Sequence, residues 1–290
     1  MFTGAFVALV TPFQDGEVDF RTLDELVDFQ LENGIDGIVP VGTTGESPTL
    51  SHAENKKVIE RVVKAVVGQV PVIGGAGSNS TAEAIELTAF SKKVGADATL
   101  QVDPYYNKPT QEGFYQHFKT IAEEVDLPII LYDIPGRCGA GMTPDTVVRL
   151  AEIENIVAIK DATGKMDHVS EIATRCDLTI LSGDDSMTLP IASVGGKGVI
   201  SVVANIVPAD VKALTDLILE GDFTSAVKWH KKLFALCRNM LTLATNPIPI
   251  KAAMAMLDMA PEELRLPMTP LEESKKIILA NTLKDYGLLK

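Results

Sequence analysis

The feature that most constrains this chain is a rhythm. Eight short runs rich in β-branched residues, at 5–10, 36–41, 71–74, 97–102, 128–132, 156–160, 178–182 and 198–202, start 20 to 35 residues apart and each ends in turn residues. Between them apolar side chains recur at helical spacing, as in Leu23, Leu26, Val27 and Leu31, or Val58, Ile59, Val62, Val63 and Val66. Helix-start chemistry accompanies them: Ser80 or Thr81 ahead of Glu83, and Thr143-Pro144 ahead of Asp145. Strand then helix, repeated eight times, predicts a parallel sheet closed into a (β/α)8 or TIM barrel. A doubly wound open sheet is the rival, but it usually has fewer strands and needs edge strands that the pattern does not supply. The length of 290 residues is ample, since such barrels run to about 250 residues as one domain. The strand signal stops by about residue 224, so a catalytic barrel over 1–224 is expected to carry a C-terminal helical region over 225–290. Its helices are expected at 226–245, 250–257 and 271–286, joined by proline-rich segments at 246–249 and 265–270.

Composition narrows the function. Acidic residues outnumber basic ones 39 to 26, a net charge of −13, which repels phosphate backbones and argues against nucleic acid as a partner. Three cysteines, Cys138, Cys176 and Cys237, make no disulfide framework, and reduced thiols in a cytoplasm are the simpler expectation. The apolar opening at 1–13 lacks a basic leader and a cleavage-like site, and it fits a first strand better than a signal peptide. The longest charge-free stretch, 65–82, is broken by Pro71, glycines and polar residues, so no membrane span is expected. The four histidines, His52, His117, His168 and His230, are scattered without ligand spacing, so neither a metal nor another cofactor is expected.

In such a barrel the chemistry sits where the strands end. Those ends carry Thr11, Gly42-Thr43-Thr44-Gly45-Glu46, the 74–81 loop, Tyr105-Tyr106, Tyr132-Asp133, Lys160-Asp161 and Ser182-Gly183-Asp184-Asp185. Lys160 closes the apolar run Val157-Ala158-Ile159, where loss of water lowers an ammonium pKa as an amine nucleophile requires. A fall from about 10.4 to about 7.5 needs roughly 4 kcal/mol, available from burial plus a neighbouring cation such as Arg137. The alternative is a structural lysine paired with Asp161. Tyr132 closes Ile129-Ile130-Leu131, and a phenol there can move protons while uncharged at rest, or be an ordinary core tyrosine. Thr43 and Thr44 offer hydroxyls and N–H groups to a carboxylate, although threonine in such a turn is often only a helix cap. Arg137, in Pro135-Gly136-Arg137-Cys138-Gly139, has the fork for a second carboxylate, with a surface ion pair as the alternative. The glycine-rich runs at 74–78 and 195–198 look like phosphate cradles, but the first reads better as a tight turn and the second precedes a strand, at the wrong end for a site.

Taken together these motifs resemble the dihydrodipicolinate synthase family, within the wider N-acetylneuraminate lyase superfamily. The resemblance spans essentially the whole chain. It runs from the Gly4–Phe13 segment through Gly42-Thr43-Thr44-Gly45-Glu46-Ser47, Pro104-Tyr105-Tyr106-Asn107 and Tyr132-Asp133-Ile134-Pro135-Gly136-Arg137. It continues through Ile159-Lys160-Asp161-Ala162-Thr163-Gly164, Ser182-Gly183-Asp184-Asp185 and Gly198-Val199-Ile200-Ser201 to Arg265-Leu266-Pro267-Met268-Thr269-Pro270.

The resemblance implies a class I aldolase-type lyase of lysine (diaminopimelate) biosynthesis, condensing pyruvate with L-aspartate 4-semialdehyde. Lys160 would form the pyruvate imine. Tyr132, Thr43 and Tyr106 would relay protons, with Tyr106 reaching in from a neighbouring subunit. Thr44 and Ile200 would hold pyruvate, Gly183 would line its pocket, and Arg137 would take the carboxylate of the semialdehyde. A homotetramer, as a dimer of dimers, or a dimer is implied, in the cytoplasm. An L-lysine effector site at the dimer interface would fall on Ser47, His52, Asn55, Asn79, Glu83 and Tyr105, with Pro48 and Asn55 unlike inhibited members, so inhibition is expected to be weak or absent. The chain departs from the family pattern at Asp133, Asp161 and Cys138, where Asn, Glu and Thr are commoner. A sugar-acid aldolase would share Lys160 and Tyr132 but has no need of Arg137, and a non-catalytic homologue would not be expected to keep the whole set.

Overall fold

The computed structural model describes residues 2–290. Eight parallel strands form the barrel: β1 Gly4–Ala8, β2 Gly37–Val39, β3 Ile73–Gly75, β4 Ala98–Val102, β5 Ile129–Asp133, β6 Ile156–Asp161, β7 Thr179–Ser182 and β8 Gly198–Ser201. Hydrogen bonds link them in the order β2-β1-β8-β7-β6-β5-β4-β3. The remaining gap between β2 and β3 is closed by a parallel bridge at Ile38 and Val72 and by Gly75 N–H donating to Pro40 O at 3.0 Å. Closure there requires glycine: a Cβ on Gly75 would lie 2.1 Å from the Val41 carbonyl oxygen.

The helices that cover the strands are α1 Phe20–Glu32, α2 His52–Val66, α3 Thr81–Val94, α4 Gln111–Glu124, α5 Pro144–Leu150, α6 Met166–Arg175, α7 Thr188–Ala192 and α8 Pro208–Glu220. Local chemistry starts them. Asp19 caps α1 through the N–H groups of Arg21 and Thr22, and Ser51 with Glu54 forms a reciprocal capping box on α2. Thr143 caps α5 as its sequence suggests, whereas Ser80 makes no side-chain cap on α3. Three further helices, α9 Phe223–Thr242, α10 Ile248–Met256 and α11 Glu273–Tyr286, pack on the barrel at β1 and β8. Two features differ from expectation: Phe13–Gln14 and Glu17–Val18 form a short antiparallel hairpin after β1, and Pro135–Cys138, expected as a loop, forms a one-turn helix after β5 that carries Arg137.

Alternation along each strand decides what faces where. Ile130, Tyr132, Ala158, Leu181 and Ile200 fill the barrel interior with Phe6 and Leu100. Ile129, Leu131, Ile159 and Ile180 point the other way, into an apolar layer shared with the helices. Register pairs Tyr132 with Lys160 and Asp133 with Asp161. The last strand positions therefore split into an inward set, Tyr132 and Lys160, and an outward acidic set, Asp133 and Asp161, beneath the helices.

Candidate active site

Lys160 stands at the end of β6 with only 6% of its surface exposed. Its Nζ lies 3.9 Å from the centroid of the Tyr132 ring on the next strand. Burial pushes the ammonium down to about 7, against the pull of the Asp185 carboxylate and with a smaller push from Arg137. Both sources expected from sequence thus act, with burial dominant. Pairing with Asp161 does not occur; that carboxylate faces outward and is bound by His168. The acid that acts on Lys160 is Asp185, held by the N–H groups of Val202 and Val203 at 2.9 and 3.3 Å and raised to about 6 by burial. In sequence Asp185 is only one member of the strand-end ring, because nothing in its immediate sequence marks which way it turns.

Gly183 lies against the lysine stem. A Cβ there would sit 3.1 Å from Lys160 Cε and 2.8 Å from Ala162 Cβ, so glycine leaves the amine its space. Burial pushes the Tyr132 phenol up to about 12, opposed by the Thr43 hydroxyl and by Arg137, so it is protonated at neutral pH and can donate. The turn bearing Thr43 and Thr44 is bounded by left-handed Val41 and Glu46, at φ 57° and 53°. A β-branched residue in that region is uncommon, and such strain gathers at functional sites.

Thr44 is buried, and its hydroxyl accepts from Asn246 Nδ2 at 3.0 Å, while the Asn246 carbonyl accepts from Arg137 Nη2 at 3.0 Å. Asn246 thereby ties the C-terminal helices to two candidate substrate-binding residues. In sequence it lies only in a proline-rich connection, and a contact across 202 residues leaves no local signal. Ile200 is buried in the same interior cluster as Tyr132.

Thr43, Tyr132 and Arg137 line a cavity of about 390 Å³ together with Ser47, His52, Asn55, Glu83 and Tyr105. Five of the six expected effector positions therefore share one cavity with the mouth of the site. The sixth, Asn79, is not on the wall; it donates to Tyr105 O at 3.0 Å and its carbonyl accepts from Asn107. Tyr106 is 91% exposed, outside that wall, in left-handed backbone at φ 72°. This chain does not bring Tyr106 to its own Lys160.

A second buried lysine carries no signal in its own sequence. Lys251 on α10 is 1% exposed, ion-paired with Glu46 of the threonine turn, and donates to Glu263 O at 2.8 Å. Arg265 adds bonds to Glu54 and to the carbonyl of Thr49, both at 3.0 Å, and it holds the Glu54 carboxyl down to about 2. No group of three or more His, Cys, Asp or Glu among the described residues is arranged to hold a metal ion.

The sequence matches the Dihydrodipicolinate synthetase family over residues 1–286. It is 54% identical over 290 residues to the 4-hydroxy-tetrahydrodipicolinate synthase of Methanocaldococcus jannaschii, covering 100% of both chains. Among solved structures, dihydrodipicolinate synthase from Aquifex aeolicus superposes with a TM-score of 0.97 at 51% identity, covering 99% of each chain. The enzyme of Cyanidioschyzon merolae, solved with lysine bound, superposes with a TM-score of 0.96 at 41% identity and 99% coverage of each.

Proposed function

The chain belongs to the dihydrodipicolinate synthetase family, and from that premise we propose how its residues perform the reaction. The activity is that of a 4-hydroxy-tetrahydrodipicolinate synthase: a lysine imine of pyruvate condenses with L-aspartate 4-semialdehyde, in lysine biosynthesis. Lys160 attacks the pyruvate carbonyl, water leaves, and the imine draws electrons from the neighbouring methyl so that a proton departs and an enamine forms. The enamine carbon then adds to the aldehyde. Tyr132 and Thr43 pass the protons of these steps, completed by Tyr106 from a neighbouring subunit. Thr44 and the Ile200 backbone hold the pyruvate carboxylate, Gly183 keeps room for it, and Arg137 receives the carboxylate of the semialdehyde.

The observation that carries this reading is that a buried lysine of lowered pKa faces a protonated tyrosine at the strand ends. The test is product formation from pyruvate with a panel of aldehydes. Aspartate semialdehyde is expected to be consumed far faster than sugar-like aldehydes; the reverse preference would overturn the assignment of Arg137.

Residues 1–224 act as the catalytic barrel and 225–290 as its helical appendage, in a cytoplasmic homotetramer or dimer. Mixing Tyr106→Phe and Lys160→Ala proteins should restore activity in hybrids. No recovery despite proven subunit exchange would remove Tyr106 from the neighbouring site. Ser47, His52, Asn55, Asn79, Glu83 and Tyr105 form a weak L-lysine site. Asn55 and Pro48 alter its polarity and shape, and loss of one hydrogen bond of about 1–1.5 kcal/mol weakens binding roughly tenfold. Half-inhibition by sub-millimolar lysine would contradict this.

A further inference from the structure

Behind Tyr132 and Lys160, on the helix-facing side of the same strand ends, lies a buried polar cluster with no assigned part in the reaction. Asp103, Asp133 and Asp161 follow β4, the end of β5 and the end of β6 in matching outward positions, and all three are buried. His168 of α6 lies over Asp133 and Asp161. Its Nδ1 is 2.9 Å from Asp161 Oδ2, and its Nε2 is 3.1 Å from Met142 O and 3.5 Å from Asp133 Oδ2. Each ring nitrogen thus faces only acceptors, an arrangement that a neutral imidazole, with one donor, cannot satisfy. We propose that His168 is a positioning residue for the condensation, an imidazolium strut that fixes through Asp133 and Asp161 the strand ends bearing Tyr132 and Lys160.

The charges around it support this state. Burial alone would lower His168, but the hydrogen bond and charge of Asp161, with Asp133 behind it, raise it above 6.5. Asp103 Oδ1 and both Asp133 oxygens find no donor when both carboxyls are ionised. One proton held between the two supplies a donor to one of these oxygens, and burial together with the neighbouring acidic charge drives both carboxyls up. Asp161 is further satisfied by the N–H and hydroxyl of Thr163 at 3.1 and 2.9 Å. The Cys138 thiol, raised to about 12, stays neutral, and Lys165 and Asp184 share the small cavity beside Asp161. His168 is therefore hydrogen-bonded to Asp161 on β6 and reaches Asp133 on β5 by charge across 3.5 Å, its Nε2–H donating to Met142 O. Adjacent Cα atoms are about 3.8 Å apart, so a slip of either acid moves its catalytic neighbour, and a misplacement of about 1 Å costs on the order of 10²-fold in rate.

This inference rests on the imine chemistry of Lys160, which borohydride trapping of pyruvate tests separately. The experiment compares wild type with His168→Gln from pH 6 upward. The variant should lose roughly 10- to 100-fold in kcat with little change in the KM for pyruvate. The wild-type to variant ratio should fall toward one as pH rises through the His168 pKa, because wild type then loses the same charge. A ratio that ignores pH, or an unchanged kcat, would overturn the proposal. If His168→Gln does not fold, Asp161→Asn provides the second test, with loss of kcat setting in at lower pH than in wild type. Independently, ¹⁵N spectra of histidine side chains in wild type should give His168 both nitrogens protonated at pH 7; a neutral ring would sink the idea.

Discussion

Lys160 and Lys251 are both buried, at 6% and 1% exposure, yet they lie in regions that ask different things of an ammonium. Lys160 closes a barrel strand, has no ion pair among the described residues, and faces a tyrosine ring and the inner space. Lys251 lies where α10 meets the turn after β2 and is bound by Glu46 and Glu263. Burial lowers both. The difference is the partner: an ammonium bonded to a carboxylate keeps its proton and holds structure, whereas one left with a distant acid can give it up and attack a carbonyl. Depth of burial alone does not mark a nucleophile.

Substitutions at the two sites should separate these roles. Lys160→Ala is expected to lower turnover by on the order of 10³-fold or more while the fold persists. It should also be no less stable, because a buried lysine without a bonded partner contributes nothing favourable. A large drop in Tm would place Lys160 in the structural class. Tyr132→Phe should cost about 10²- to 10⁴-fold in kcat, the range for a lost proton donor, with the fold kept; activity near wild type would leave the relay to other groups. Lys251→Met should cost about 3–5 kcal/mol in denaturant unfolding, since Glu46 is left buried and unpaired. Adding Glu46→Gln should restore part of that loss, and additive losses would mean that the pair is not the source. Arg137→Ala should lose about 2–4 kcal/mol in kcat/KM for the semialdehyde and much less in pyruvate imine formation. Equal loss in both would make Arg137 a modulator of Lys160.

The pH dependence has a definite sign. Lys160 is lowered from 10.5 to about 7, so the folded protein binds a proton there less readily than the unfolded chain. This destabilisation is complete below about 7 and disappears as pH rises toward 10.5. Lys160→Ala should therefore gain most over wild type below pH 7, and kcat/KM of wild type should rise through about 7 as the free amine appears.

Much of the barrel was legible because each strand is short, apolar and followed by its own turn. Expected and observed strand bounds differ by no more than a few residues, as at 97–102 against Ala98–Val102. The inward pair Lys160 and Tyr132 was legible for the same reason: each closes an apolar run. What escaped was long-range. Asn246 meets Thr44 and Lys251 meets Glu46 across 202 and 205 residues, and no periodicity reports such a pairing. His168 looked isolated because its acceptors come from β5, β6 and the loop at Met142. The available clue was parity: Asp133 and Asp161 each follow an inward-facing residue, so both point under the helices, where buried acids need a cationic partner.

The most direct measurement treats the protein with pyruvate and borohydride and maps the modified peptide by mass. Addition of a reduced three-carbon adduct to Lys160, with Lys251 unmodified, is the expected result. An adduct on Lys251 or another lysine, or none at all, would contradict the account.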